Sequence, residues 1–352
     1  MKQKMPKKKK AIIITSIVVG SLVVLYFGGG TIAGLIVFDS VFSDRQSSLE
    51  KLNSDSLRIL KTRKDYPILN ERVVETFQSD NNTLTGYYYK ADAPKGNVLC
   101  FHGMRGLADG RDAQYQQWFL SESYNVFAVD LTACGASTGN KYDGICQSPK
   151  DVAHAYAHFK ETHQDVADLP TYFVGHSWGA YGSAAAAYYG AVPTGVITFA
   201  AFDIPVYEML DMSRRYIGVL TDITYPNFFL ASQIRYGENA KISAKTVLKD
   251  HPSIKSLHFY GTNDKAVYTQ DALVTSIRND PIPNAKTVSL HGVGHSYPWL
   301  TLSSAKAIDN HIDVLKGLSD QEKETYINGI DKEKTSELSP EVFDAIRLFL
   351  NE

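Results

Sequence analysis

One serine in this chain stands between spaced glycines, in Gly175-His176-Ser177-Trp178-Gly179. An apolar β-like run, Thr171-Tyr172-Phe173-Val174, leads into it, and a small-residue helical stretch, Ala180 to Tyr189, leads out. A serine at such a strand-to-helix junction has the pattern of a nucleophile elbow. The turn is so tight that residues two before and two after the serine must lack bulk. The corner lifts the hydroxyl clear of the sheet, and the helix that follows turns its first N–H groups toward a developing oxyanion. The chemistry on offer is attack of the Ser177 hydroxyl on a carbonyl carbon.

A serine hydroxyl is a poor nucleophile unless a base takes its proton, and the base needs a third group to hold its tautomer. Hydrolases with this elbow place the acid and then the histidine after the serine in chain order. The run Lys255-Ser256-Leu257-His258-Phe259-Tyr260 reads as a strand, and Gly261-Thr262-Asn263-Asp264 turns away from its end. The next strand, Lys286 to Leu290, is followed by His291-Gly292-Val293-Gly294-His295. Asp264 and His295 therefore sit just past the C-terminal ends of strands, where an α/β sheet keeps its site. His291 is the rival base, but it abuts the strand, whereas His295 lies in a glycine-containing loop able to reach across the sheet. Asp203, after the strand Gly195 to Ala200, is the rival acid; its alternative role is a helix cap.

With these residues in order, the chain resembles the α/β-hydrolase superfamily over about residues 71–352. His102-Gly103-Met104 follows the strand Asn97 to Phe101 and is similar to the family's His-Gly oxyanion loop. Asp130-Leu131-Thr132-Ala133-Cys134-Gly135-Ala136-Ser137, after the strand Asn125 to Val129, is similar to its Asp-x-Arg-Gly-x-Gly-x-Ser turn. Thr132-Ala133 stands there in place of the Arg-Gly pair. The resemblance implies Ser177 as nucleophile, His295 as general base and then acid, and Asp264 as orienting carboxylate. It implies backbone N–H groups of Met104 and Trp178 as the oxyanion hole. His102 is expected to be a structural hydrogen-bonding residue. Arg105 is read as a solvated loop residue, with attraction of an anionic substrate group as the alternative.

Elements of two kinds must carry these loops. Strands alternating with helical runs such as Pro149 to Thr162 predict a mostly parallel central sheet with helices on both faces. Arg72 to Phe77 and Thr83 to Tyr89 predict an opening hairpin across Asp80-Asn81-Asn82. The long interval between the Gly195 and Lys255 strands predicts an inserted helical lid over about residues 203–250. Its Tyr207, Met209, Met212, Tyr216, Tyr225, Phe228, Phe229 and Tyr236 would either roof an apolar pocket or pack the lid's own core. Ser319-Asp320-Gln321-Glu322 has capping-box form, and Ser339-Pro340-Glu341 opens a last helix with Val342, Ile346 and Leu350 on one face.

The N-terminus differs in kind. Residues 1–10 hold six lysines, and residues 11–38 carry no charge, longer than the roughly 20 residues a helix needs to cross a bilayer. Basic residues before the span predict a single-pass anchor in the cell membrane, its N-terminus cytoplasmic and its catalytic domain outside. A cleaved secretory signal is the alternative, but its apolar core would be only about 7–15 residues. Gly28-Gly29-Gly30 is expected to loosen the far half of the span, and residues 39–70 to form a helical stalk. The formal net charge is −2, so the chain beyond its six N-terminal lysines is acidic and poorly suited to nucleic acid. Cys134 and Cys146 fall in one loop region and could bridge outside the cell, while Cys100 belongs to a buried strand. No zinc-ligand spacing and no phosphate-binding loop is present, so neither metal nor cofactor is expected.

The expected activity is cleavage of an ester-like acyl bond in a small-molecule or lipid-like substrate. Peptidase and acyltransferase chemistry would use the same three side chains, and a non-catalytic binding protein on the same fold is the alternative of another class.

Overall fold

The computed structural model describes residues 6–41 and 54–352. Eight strands form one sheet: β1 (Val73–Ser79), β2 (Asn82–Tyr89), β3 (Gly96–Phe101), β4 (Tyr124–Asp130), β5 (Thr171–His176), β6 (Gly195–Phe199), β7 (Lys255–Gly261) and β8 (Ala285–Leu290). Their order is β1-β2-β4-β3-β5-β6-β7-β8. β1 and β2 form the expected antiparallel hairpin, and β2 runs antiparallel to β4. Every later pairing is parallel. β3 to β6 are buried along their whole length, so they read as apolar runs rather than alternating ones. β8, at the edge, is only partly covered, with Lys286 and Ser289 exposed.

The α-helices longer than one turn among the described residues, in chain order, are α1 (Lys7–Val24), α2 (Gly30–Val41), α3 (Ala113–Ser121), α4 (Ser148–Thr162), α5 (Trp178–Ala185), α6 (Pro205–Ile217), α7 (Leu220–Tyr236), α8 (Ala244–Asp250), α9 (Leu273–Asn279), α10 (Leu302–Leu315), α11 (Asp320–Asn328) and α12 (Pro340–Leu350). One core packs α4 to α9 on one sheet face, through residues such as Phe159, Tyr181 and Met209. A second packs α3, α10 and α12 on the other, through Phe119, Ile308 and Ile346. The apolar face predicted for the last helix is buried there, and the Ser319–Glu322 capping box is formed. The predicted lid interval holds α6, α7 and α8 between β6 and β7.

The N-terminal segment is one helix long and apolar enough to cross a membrane, Lys7–Val41, with mean hydropathy 2.4 in its most apolar window. The three glycines do not break it. They fall where α1 passes into α2 through a π-helical turn, Leu25–Gly29. The helix also runs past the boundary expected at residue 39. Phe38 is buried in the body, and Asp39 pairs with Arg235 at 2.6 Å and Lys141 at 3.1 Å. Of the expected stalk, residues 42–53 lie outside the described residues. Residues 54–70 lie against the body as a strap: Ile59, Leu60 and Leu69 are fully buried, and the Thr335 hydroxyl donates to the Ile59 carbonyl at 2.6 Å. The charged segment after α10 holds that strap, with Arg58 bidentate on Glu324. Cys100, Cys134 and Cys146 are buried and unbridged, so the possible Cys134–Cys146 disulfide is not formed.

Candidate active site

Between β5 and α5 the backbone turns at Ser177 with φ 53° and ψ −114°, a conformation that non-glycine residues seldom adopt. Neighbouring main chain enforces the two flanking glycines. A Cβ on Gly175 would stand 2.4 Å from the Gly179 carbonyl oxygen, and one on Gly179 would stand 2.2 Å from that of Phe101. The turn is tied to the sheet by the Ser177 N–H, which donates to the Phe199 carbonyl at 2.8 Å. Backbone strain of this kind is held by its surroundings and concentrates at functional sites.

His295 reaches this hydroxyl from the loop after β8. Its Nε2 lies 2.9 Å from Ser177 Oγ, and its Nδ1 lies 2.8 Å from Asp264 Oδ2. With Nδ1–H donating to the carboxylate, Nε2 presents a lone pair to the serine O–H. The other Asp264 oxygen accepts from the N–H groups of Ala266 and Val267, at 2.7 and 3.0 Å. The carboxylate is thereby clamped, and its side chain is fully shielded from solvent. The rivals lie elsewhere: His291 is exposed on the surface. Asp203 accepts from Ser243 Oγ at 2.8 Å and the Lys245 N–H at 3.0 Å, capping α8 rather than the helix that follows it directly.

Met104 and Trp178 both line the cavity above Ser177, a space of about 290 Å³. As the first residue of α5, Trp178 has an N–H without an intrahelical acceptor. Its side chain turns into the core, where the indole donates to the Ile145 carbonyl at 2.9 Å. His102 is structural as expected. Its Nδ1–H donates to the Gly103 carbonyl at 2.7 Å, and its Nε2 accepts the Leu131 N–H at 3.1 Å. In the turn where Arg-Gly was expected, Thr132 bonds buried Asp151, and Ala133 takes the positive φ, 62°, that glycine would favour.

Three features of the cavity were not legible in the sequence. His176, inside the elbow, donates from Nε2 to the His295 carbonyl oxygen at 2.8 Å and so helps position that loop. Among the described side chains no lid aromatic lines the cavity; α6 contributes Glu208, Met212 and Arg215. Of the lid aromatics, Phe228 packs in the core, while Tyr207 and Tyr225 are exposed. Arg105, read above as solvated, is half-buried, lines the cavity and donates to the Val41 carbonyl at 3.4 Å. Arg111 and Arg215 line the cavity too. Glu208 is buried among Asp271, Asp264 and Asp211, and burial first, then those carboxylates, pushes its carboxyl well above the usual range. Three guanidinium groups, those of Arg105, Arg111 and Arg215, thus face the cavity beside a carboxyl that burial shifts toward its neutral form. Among the described residues, no group of three or more His, Cys, Asp or Glu side chains is arranged to hold a metal ion.

Residues 92–258 match the family described as serine aminopeptidase, S33. No curated protein sequence matches the chain significantly. Among solved structures, an esterase from Pyrococcus furiosus superposes with TM-score 0.52 at 16% identity, covering 73% of this chain and 94% of its own. The α/β hydrolase GrgF from Penicillium superposes with TM-score 0.49 at 17% identity, covering 70% and 98%. Strand order, elbow and matched family agree on one fold, and the resemblance read in the sequence holds.

Proposed function

We propose that this member of the α/β-hydrolase superfamily is a membrane-anchored serine hydrolase that cleaves ester-like acyl bonds through an acyl-enzyme on Ser177. The supporting observation is the unbroken relay from Ser177 Oγ to His295 at 2.9 Å and on to Asp264 at 2.8 Å. In this mechanism Ser177 Oγ bonds to the acyl carbon while its proton passes to His295 Nε2. Asp264 stabilises the imidazolium that results. The oxyanion is held by the backbone N–H groups of Met104 and Trp178. His295 then protonates the departing alcohol. Water, deprotonated by the same nitrogen, attacks the acyl carbon and frees the acid and Ser177.

Arg105, Arg111 and Arg215 around the cavity suit a substrate with an anionic group near the scissile bond. The anchor, with lysines before its apolar stretch, would leave the catalytic domain on the outer face of the cell membrane. The description of the matched family favours a second reading, cleavage of an amide at a peptide N-terminus. Acyl transfer would use the same acyl-enzyme.

A fluorophosphonate probe tests the central claim: wild-type protein is labelled, and Ser177→Ala is not. Folded wild-type protein that resists the probe would favour a non-catalytic binding role. A panel of esters, thioesters and aminoacyl amides separates esterase from peptidase, and added alcohol or amine acceptors reveal transfer.

A further inference from the structure

Beside the catalytic cavity lies a second space of about 440 Å³, between α2 and the lid helices α6 and α7. It lies within the range of small-molecule ligand sites, about 300–1,000 Å³. Its wall is apolar even where hydroxyls occur. Ser40, Ser213 and Thr224 donate back to Ile36, Leu210 and Leu220, carbonyls of their own helices, at 2.8, 2.6 and 2.9 Å. What remains facing the space is chiefly methyl, methylene and thioether surface, including Ala33, Val37, Met209 and Phe228.

The position of this space along the helix bears on what it can take up. About 20 residues at 1.5 Å rise cross the hydrocarbon of a bilayer. Counted from the lysines that end at residue 10, the helix leaves the hydrocarbon near Gly30, where the cavity begins. The lid reaches lower still. The Tyr26 hydroxyl donates to the Ile223 carbonyl, so the start of α7 hangs beside a turn of the helix that lies within the outer leaflet. Val219, Leu220 and Ile223 are exposed there, Val219 by 74%. Apolar side chains at that depth meet acyl chains rather than water.

At its other end the cavity meets the catalytic one. Met212 lines both, and Arg105, in the wall around Ser177, donates to the carbonyl of Val41 at the top of the apolar space. A methionine is the most adaptable partition a core can use.

We propose that this cavity is an acyl-chain channel, through which a long-chain acyl ester drawn up from the outer leaflet presents its carbonyl to Ser177. The inference rests on the hydrolase reading above and adds the substrate class: a membrane lipid, its chain between α2 and the lid. Met212 swings aside as the chain enters. The acyl–oxygen bond breaks at Ser177 and water completes the turnover, so no reactant beyond lipid and water is required.

The test uses the full chain in phospholipid vesicles. A fluorophosphonate carrying a hexadecyl chain with a diazirine along it is allowed to react with Ser177, then irradiated and mapped. Cross-links on α2, α6 or α7 are expected; cross-links confined to other elements overturn the channel. In parallel, Ala33→Trp and Val37→Trp fill the space far from Ser177. Rates on p-nitrophenyl palmitate and butyrate are normalised to sites labelled by a short fluorophosphonate. The palmitate-to-butyrate ratio should fall by about tenfold or more, since each methylene loses its buried contact. An unchanged ratio overturns the proposal. Absence of labelling by the short probe would instead sink the hydrolase reading, which keeps the two failures distinct.

Discussion

Asp264→Asn keeps bulk at the clamp formed by Ala266 and Val267 but removes the charge that holds the His295 Nδ1–H. The expected outcome is a fall in kcat by about 10⁴ with KM little changed, measured on a soluble short-chain ester. Glu208 makes a different prediction. Its carboxyl is raised well above 4.5 in the fold, so the folded state holds a proton that the unfolded chain gives up. Stability therefore falls as pH rises from about 4.5 toward the folded pKa. Glu208→Gln removes that dependence, and its gain in denaturation midpoint should grow with pH. A gain independent of pH would mean that Glu208 is ionised in the fold.

At the scale of elements, the contact of α2 with α7 decides how the lid is held. A Cβ on Gly34 would stand 3.0 Å from that of Ala231, and one on Gly30 would stand 2.6 Å from the Asn227 side chain. Small residues let the two backbones approach closely, as in membrane helix pairs. Gly34→Leu should overpack this crossing at a cost of about 1–3 kcal/mol, loosening the lid while the elbow stays intact. Faster protease cleavage within residues 218–240, with fluorophosphonate labelling retained, would be the signature. The lid base also carries an acidic pair. Burial, then the neighbouring Asp211, pushes Asp271 up to about 8. Its folded pKa lies above the unfolded 3.8, so stability declines across that window as pH rises. Asp271→Asn should flatten the decline between pH 6 and about 8, read as thermal midpoint against pH.

For the whole molecule, the strap at residues 54–70 and the pairs of Asp39 with Arg235 and Lys141 fasten the anchor side of the chain to the catalytic body. On the proposed membrane anchoring, the cavity around Ser177 would then stay at a set height above the bilayer. External protease added to intact cells should remove the catalytic domain if the lysine-rich end is cytoplasmic. Full protection would reverse the proposed orientation.

Much of this was legible along the chain because the determinants are local. An elbow needs glycines two residues either side of its serine, and strands at the centre of a parallel sheet read as apolar runs. The length of the uncharged N-terminal stretch is a count. All eight strands fall where residue types predict them, and so do the loops that carry Ser177, Asp264 and His295. What the chain does not spell out depends on pairs of residues far apart in sequence. Only the tertiary arrangement sends Asp203 to cap α8, or ties the His295 loop to His176. It also keeps Tyr207, Tyr225 and Phe228 out of the catalytic cavity's wall and puts Glu208 and Arg215 there. The helix that reads as a plain anchor becomes one wall of a cavity beside the one above Ser177. Periodicity and turn chemistry act over a few residues, whereas which distant faces meet is decided by packing against the one sheet that all of them cover.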